Sequence, residues 1–184
     1  MFRSLLCAFI CALAIFSCKS PEARKPLKRT SGSFIKESIE RNKALYKQEE
    51  ERIAKVMEAN PQHNYIASES GFWYYYNTKD TLAAATPVIG DVVTFTYDVK
   101  DLQGTVIIPE SETGLQTYMI DQTNQDLISG LRDGIKLMKP GEVVTFLLPS
   151  HKAYGYYGLQ EKLGTNIPVQ STVTLKSIEQ IQEN

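Results

Sequence analysis

The sequence predicts an α+β protein, in which one long helix precedes an antiparallel sheet. Two observations carry this prediction. Residues 33–60 place apolar side chains at helical spacing among many charged ones. From residue 71 onward, short runs of β-branched and aromatic residues alternate with turn signals, which is typical of strands. The formal net charge of −1 gives no general attraction for nucleic acid, and we expect no such partner.

The N-terminus has the features of a secretory signal. Arg3 supplies a positive charge, and an apolar run extends over Leu5–Phe16. The run is shorter than the roughly 20 residues that span a membrane. It ends in the letters IFSC at residues 15–18, which resemble a bacterial lipobox, although Phe16 stands where that pattern has a small residue. We therefore predict a lipoprotein signal peptide over residues 1–17 and lipidation of Cys18.

The cysteines agree with an exported protein. Cys7, Cys11 and Cys18 are the three thiols, and two of them would leave with the signal, so no internal disulfide is expected. Two or more acyl chains on Cys18 would anchor the protein stably, at about 0.8 kcal/mol for each buried methylene. We expect a location in the cell envelope, lipid-anchored to a bacterial membrane, with the periplasm-facing side of the outer membrane favoured. The alternative is that Cys18 merely ends an ordinary cleaved signal.

A tether and a helix follow the signal. Residues 18–32 hold two prolines, several cations and few apolar side chains, which predicts a basic extended tether. Ser33 is a fair N-cap and Pro61 a stop, so a helix is predicted over residues 33–60. Its apolar stripe is thin. The helix therefore docks on its own domain, pairs with a second copy as a weak dimer, or stands alone.

The sheet is predicted to occupy the rest of the chain. Residues 71–77 form a dense aromatic strand, and a core-facing role for its rings is favoured over a stacking platform for bases or sugars. Further strands are predicted at several shorter apolar runs. These lie at residues 92–99, 105–108, 118–120, 143–149 and 172–178.

The usual signals of bond-breaking chemistry are missing. The sequence has no Gly-rich phosphate loop, no nucleophile elbow and no cluster of His and Cys ligands. The two histidines, His63 and His151, are far apart in predicted loops. We therefore predict neither a hydrolase nor a metal site, and no cofactor.

Two segments resemble the FKBP-type peptidyl-prolyl cis/trans isomerases. One reads DLISGLRDGIKLMKPGE at residues 126–142, and the other is Ala153-Tyr154-Gly155 followed by Ile167-Pro168. The resemblance implies an FKBP-like half-barrel, a curved antiparallel β-sheet wrapped around one short helix, within an isomerase domain at residues 61–184. It also implies that the substrates are proline-containing polypeptide clients. That reaction rotates an amide and breaks no bond, which suits a chain without a nucleophile.

The same resemblance implies the residues of the site. It assigns catalysis to Tyr97, Ile128, Leu131 and Tyr154, where the Ile128 amide and the Tyr154 hydroxyl would donate to the peptide. It assigns substrate binding to Ile107, Ile108, Tyr118, Leu127, Ile167 and Leu175. The family usually has Phe-Asp where this chain has Ile107-Ile108, so an aromatic ring and an acid are absent there. The alternative for Tyr97, Leu131 and Leu175 is a purely structural place in the core.

Three further segments are similar to the gliding-motility-associated lipoproteins of this family. They lie at residues 18–26, 71–77 and 152–158. The function implied is a membrane-anchored isomerase that assists the folding of exported or motility-machinery proteins. The alternatives are a non-catalytic FKBP-like binding module and a structural lipoprotein that docks a gliding or secretion partner.

Overall fold

The computed structural model describes residues 31–80, 85–122 and 127–180. The predicted signal peptide and Cys18 lie outside these ranges. The chain divides into two compact units, Met1–Ser38 and Ile39–Asn184. Within the described ranges no helix has the length and apolar character that crossing a membrane requires.

The first helix, α1, spans Ser31–Ala59, close to its predicted bounds. At its end the Asn60 side chain donates to the Val56 carbonyl at 2.8 Å, and Pro61 follows. In the second unit, Ile53 of α1 is fully buried and packs with Leu102 and Leu147. The later part of α1 therefore docks on its own domain, which is one of the three arrangements that the sequence allows.

The sheet of the described residues is antiparallel and has eight strands. The strands are β1 Ile66–Ala67, β2 Trp73–Thr78, β3 Val92–Tyr97, β4 Val99–Asp101, β5 Val106–Ile108, β6 Gln116–Met119, β7 Val143–Leu148 and β8 Val169–Glu179. Their order is β1-β2-β7-β8-β3-β6, and β4 pairs with both β8 and β5. Three short helical segments lie between the strands: α2 Glu110–Thr113, α3 Ser129–Ile135 and a 3₁₀ turn at Ser150–Lys152.

The long strand β8 organises this sheet. One edge of β8 pairs with β7, and its other edge pairs first with β4 and then with β3. Asp98 separates β3 from β4, and its carboxylate accepts the Thr172 amide at 2.9 Å. The β3–β8 register shifts between Thr94 and Phe95. Such irregularities bend a strand, which lets the sheet curve.

The main core lies between α3 and one face of the sheet. Leu131 and Ile135 of α3 are fully buried there, with inward residues of β3, β7 and β8 such as Phe95, Phe146 and Val173. Gly130 permits a close approach, because a Cβ at that position would meet Leu148 Cδ2 at 2.6 Å. The predicted α+β class, with an antiparallel sheet packed on one short helix, is confirmed.

The aromatic strand β2 uses both of its faces. Phe72, just before β2, together with Tyr74 and Tyr76, packs with the main core, whereas Trp73 packs with the α1 cluster on the opposite face. Tyr75 stacks on His63, with ring centroids 3.9 Å apart. The core role expected for this run agrees with the structure, and α1 explains why the opposite face is aromatic too.

Candidate active site

Nine of the ten site residues implied by the resemblance belong to one apolar cluster. Its buried members among them are Ile108, Tyr118, Leu131 and Leu175, and its half-buried members are Tyr97, Ile107, Leu127, Ile128 and Tyr154. The tenth, Ile167, is half-buried next to the buried Pro168 and is not part of that cluster. The buried members thus belong to the core, and the half-buried members form an apolar surface beside it.

These residues lie on several chain segments that meet in the cluster. Tyr97 ends β3, and Ile107 and Ile108 end β5. Leu127 and Ile128 lead into α3. The end of β3 is tied to α2, because the Thr113 hydroxyl donates to the Tyr97 carbonyl at 2.6 Å. These contacts position the Tyr97 backbone.

The two central tyrosines remain protonated. Burial, together with a smaller effect of the nearby Tyr97, raises the pKa of Tyr154 to about 12. Burial also raises the pKa of Tyr97. Both hydroxyls therefore keep their protons at neutral pH, and Tyr154 is a hydrogen-bond donor beside an apolar wall.

The amide of Ile128 is a second donor. Ile128 has extended backbone angles of φ −56° and ψ 143°, directly before α3. Its carbonyl accepts the amides of Leu131 and Arg132, each at 3.1 Å. No described residue accepts a hydrogen bond from its own amide. The start of a helix leaves such amides unpaired, so this one is free to meet a substrate carbonyl.

The loop that carries Tyr154 is braced through its backbone. The Gly155 amide donates to the Ser150 carbonyl at 2.8 Å, and the Gly155 carbonyl accepts the Asn166 amide at 2.8 Å. The Gly158 amide donates to the Tyr154 carbonyl at 3.2 Å. Gly155 has φ +56°, a conformation that glycine adopts without strain. These bonds hold the Tyr154 backbone on both sides.

The position of the missing Phe-Asp pair is aliphatic. Ile108 is 8% exposed and pairs with Val99 in the β4–β5 ladder, while Ile107 is half-buried in the cluster. Beyond β5, Glu112 of α2 forms an ion pair with Lys162 in the loop after Tyr154. This pair joins the two segments that flank the cluster, although an exposed pair adds little stability.

Tyr118 presents an unusual polar group. Its side chain is 7% exposed, and its hydroxyl has no hydrogen-bond partner within the described residues. Burial of an unpaired hydroxyl is unfavourable. The hydroxyl therefore lowers the stability of the fold in the absence of a ligand.

The described ranges contain no group of three or more His, Cys, Asp or Glu that could hold a metal ion. The histidines engage aromatic rings instead. His63 stacks on Tyr75, and the His151 ring lies 4.6 Å from that of Tyr46. Burial lowers the pKa of His151, against opposing effects of Glu49 and Glu50. A neutral imidazole packed on a ring suits this setting.

The sequence reasoning missed two residues next to this site, Glu49 and Ser150. Both are 1% exposed, and the Glu49 carboxylate accepts two hydrogen bonds from Ser150. A signal was present in the helix, since Glu49 lies one turn before Ile53 and therefore on the same face. An acid on the apolar stripe of a docked helix predicts a buried partner.

Residues 83–176 match the family model described as FKBP-type peptidyl-prolyl cis-trans isomerase. The match covers half of the chain and includes all ten of the site residues named above. This chain therefore belongs to the FKBP-type peptidyl-prolyl cis-trans isomerase family.

Individual relatives agree with this assignment. The chain is 28% identical over 142 residues to the probable FKBP-type peptidyl-prolyl cis-trans isomerase FkpA of Neisseria meningitidis serogroup B; the alignment covers 77% of this chain and 50% of that protein. The chain thus spans about half the length of the curated relative it matches.

Two solved structures share the fold. A peptidyl-prolyl cis-trans isomerase from Pseudomonas syringae pv. tomato has a TM-score of 0.60 and 22% identity, over 75% of this chain and 96% of its own. FkpA from Escherichia coli has a TM-score of 0.55 and 19% identity, over 97% of this chain and 82% of its own.

Proposed function

We propose that this protein is a membrane-anchored peptidyl-prolyl cis/trans isomerase that assists the folding of exported polypeptides. One observation carries the catalytic part. Tyr97, Ile128, Leu131 and Tyr154 pack in one cluster, and two hydrogen-bond donors lie beside its apolar wall. Family membership supports the same activity.

Prolyl isomerisation requires only modest stabilisation of its transition state. Rotation about a prolyl bond faces a barrier of about 20 kcal/mol. The twisted amide loses resonance and becomes less polar than the planar one, so an apolar wall favours the transition state over the ground state. An acceleration of ~10⁴-fold needs only about 5–6 kcal/mol. The Ile128 amide and Tyr154 hydroxyl would hold the peptide carbonyls while Tyr97 and the other half-buried residues of the cluster enclose the proline ring, with the buried Leu131 supporting them from the core.

Exchange spectroscopy of a short proline peptide, catalysed by the full chain purified in detergent, tests this activity. We expect turnover in the native protein and a fall of about tenfold in kcat/KM in Tyr154→Phe, since one hydrogen bond to the peptide is lost. Tyr156→Phe is the matched control, because it removes a hydroxyl from an exposed ring of the same loop. Equal activity in the native protein and Tyr154→Phe contradicts the assigned role.

The second candidate is a non-catalytic FKBP-like binding module. The aliphatic Ile107-Ile108 pair favours it, because the usual ring and acid are absent. Peptide binding by the native protein without any turnover in the exchange experiment would establish this candidate and exclude the first. A structural lipoprotein that docks a gliding or secretion partner would instead be recovered with that machinery in fixed stoichiometry, even when residues of the apolar cluster are replaced.

The membrane anchor is proposed from the sequence alone. Acylation of Cys18 would attach the protein to a bacterial membrane, with the periplasm-facing outer membrane as the proposed site and gliding-motility proteins as one class of client. Labelling cells with a radioactive fatty acid should mark the native chain and not Cys18→Ser. Unlabelled native protein contradicts the anchor.

A weak dimer through α1 is a separate proposal. Ile35 is 60% exposed and Ile39 is 48% exposed, one turn apart on the helix. Sedimentation over a range of concentrations should show reversible association that Ile35→Ser with Ile39→Ser weakens. A monomer at every concentration contradicts it.

A further inference from the structure

The middle of α1 contains a carboxylate withdrawn from water. Glu49 is 1% exposed, whereas its neighbours Glu50 and Glu51 are exposed. Each Glu49 oxygen accepts one bond from Ser150: the Ser150 amide donates to Oε2 at 2.8 Å, and the Ser150 hydroxyl donates to Oε1 at 2.6 Å. Glu49 thus binds both donors of a single residue.

Ser150 is the residue from which the Tyr154 loop departs. It follows Pro149 at the end of β7 and opens the 3₁₀ turn. Its carbonyl accepts the amides of Ala153 at 2.9 Å and Gly155 at 2.8 Å, the two residues that flank Tyr154. One residue therefore links a carboxylate of α1 to the backbone on either side of Tyr154.

Apolar contacts also dock the helix. Ile53, packed on Leu102 and Leu147, already attaches α1 to the opposite face of the sheet. A buried carboxylate is unfavourable unless it is fully hydrogen-bonded, and an apolar residue of similar size often serves stability equally well. What the carboxylate adds is direction, because its two oxygens fix both the amide and the hydroxyl of Ser150. The contact between the rings of Tyr46 and His151 fixes the next residue of that turn.

We propose that Glu49 is a positioning residue for the Tyr154 loop, so that the N-terminal helix orients the active-site tyrosine through Ser150. The inference rests on the proposed isomerase function. A hydroxyl that binds the substrate must lie within about 3 Å of its acceptor. Misplacement by about 1 Å costs up to about 100-fold in rate, so a rigid turn behind Tyr154 has a catalytic consequence.

Glu49→Gln tests the proposal, because it preserves size and puts a donor where an acceptor is needed. We expect kcat to fall by about tenfold with a smaller change in KM, since the tyrosine acts mainly in the transition state. Ser150→Ala, which removes one of the two bonds, should have a smaller effect. Glu51→Gln, a matched change on the exposed side of α1, should leave both constants unchanged.

Two comparisons separate positioning from simple stabilisation. In the Tyr154→Phe background, Glu49→Gln should have little further effect, because both changes remove the same interaction. Val93→Ala, which opens a cavity at the end of β3 away from both α1 and Tyr97, should lower the unfolding free energy while kcat stays near the native value. Additive effects of Glu49→Gln and Tyr154→Phe, or an equal loss of kcat in Val93→Ala, overturn the proposal.

A readout without turnover keeps this inference distinct from the proposed function. Hydrogen exchange of the Gly155 amide, which donates to Ser150, should accelerate by about tenfold or more in Glu49→Gln and not in Glu51→Gln. Unchanged exchange refutes the positioning role even in an active enzyme. Accelerated exchange in a protein without turnover supports the link and refutes only the isomerase assignment.

Discussion

Gly134 of α3 lies against the Phe146 ring of β7, so closely that a Cβ on the glycine would stand 2.6 Å from Phe146 Cε1. Gly130, one turn earlier, has the same relation to Leu148. A helix with glycine at both positions packs directly on the strand. That packing buries Leu131 and holds the end of α3 that carries Ile128.

Gly134→Ala is therefore expected to destabilise the protein. The added methyl group forces α3 away from β7, at a cost of about 1–3 kcal/mol. Chemical denaturation should show this loss, together with reduced isomerase activity from displacement of Leu131. Gly164→Ala is the matched control, because its Cβ would meet nothing closer than Ile167 Cγ1 at 3.7 Å. Equal stabilities of the two variants would contradict the close packing.

The raised pKa of Tyr154 predicts that kcat/KM does not change with pH in the mildly alkaline range. An ordinary tyrosine is half ionised near pH 10, whereas Tyr154 has a pKa of about 12. The hydroxyl thus remains a donor, and kcat/KM should stay constant between pH 7 and about 10.5 wherever the fold persists. A decline with a midpoint near pH 10, absent in Tyr154→Phe, would show that the tyrosine is not shielded.

The same pKa predicts a change in stability with pH. The folded-state pKa of Tyr154 lies above its unfolded value, so this group's contribution is complete below pH 10 and is lost as pH rises toward about 12. Denaturation at pH 9 and at pH 11 should therefore show a larger loss in the native protein than in Tyr154→Phe. An identical loss in both proteins would contradict the prediction.

Tyr118→Phe is expected to stabilise the free protein. The change removes a buried hydroxyl that has no partner among the described residues and keeps the ring in the core. We expect a gain of about 1 kcal/mol in the free energy of unfolding. Chemical denaturation measures it, with Tyr156→Phe on an exposed ring as the neutral comparison. Destabilisation by Tyr118→Phe would indicate that the hydroxyl makes a favourable contact.

Two exposed rings beside the site are expected to contact large clients. Tyr156 and Tyr157 are 73% and 92% exposed on the braced loop after Tyr154, with centroids 5.9 Å apart. Replacing both by serine should leave stability within about 0.5 kcal/mol. It should also lower kcat/KM for a proline-limited refolding protein more than for a tetrapeptide, because only the longer chain reaches the rings. Equal effects on both substrates would exclude this contact.

Local sequence patterns were sufficient to predict much of the fold. The bounds of α1 follow from its stripe and from Pro61, and β2 and β8 follow from alternation of apolar residues. The ten candidate site residues came instead from the family resemblance, and nine of them pack in one cluster. Helix and strand periodicity are properties of neighbouring residues, which makes them readable in sequence.

The sequence by itself determined which segments form helix or strand and which apolar residues are available to pack together. Only the tertiary structure decided that α1 docks on its own sheet, and that Glu49 meets Ser150 across 101 positions of the chain. Contacts over such distances depend on how faces pack, and a thin apolar stripe is compatible with several partners. The geometry of the Tyr154 loop therefore depends on a helix whose place no local pattern reveals.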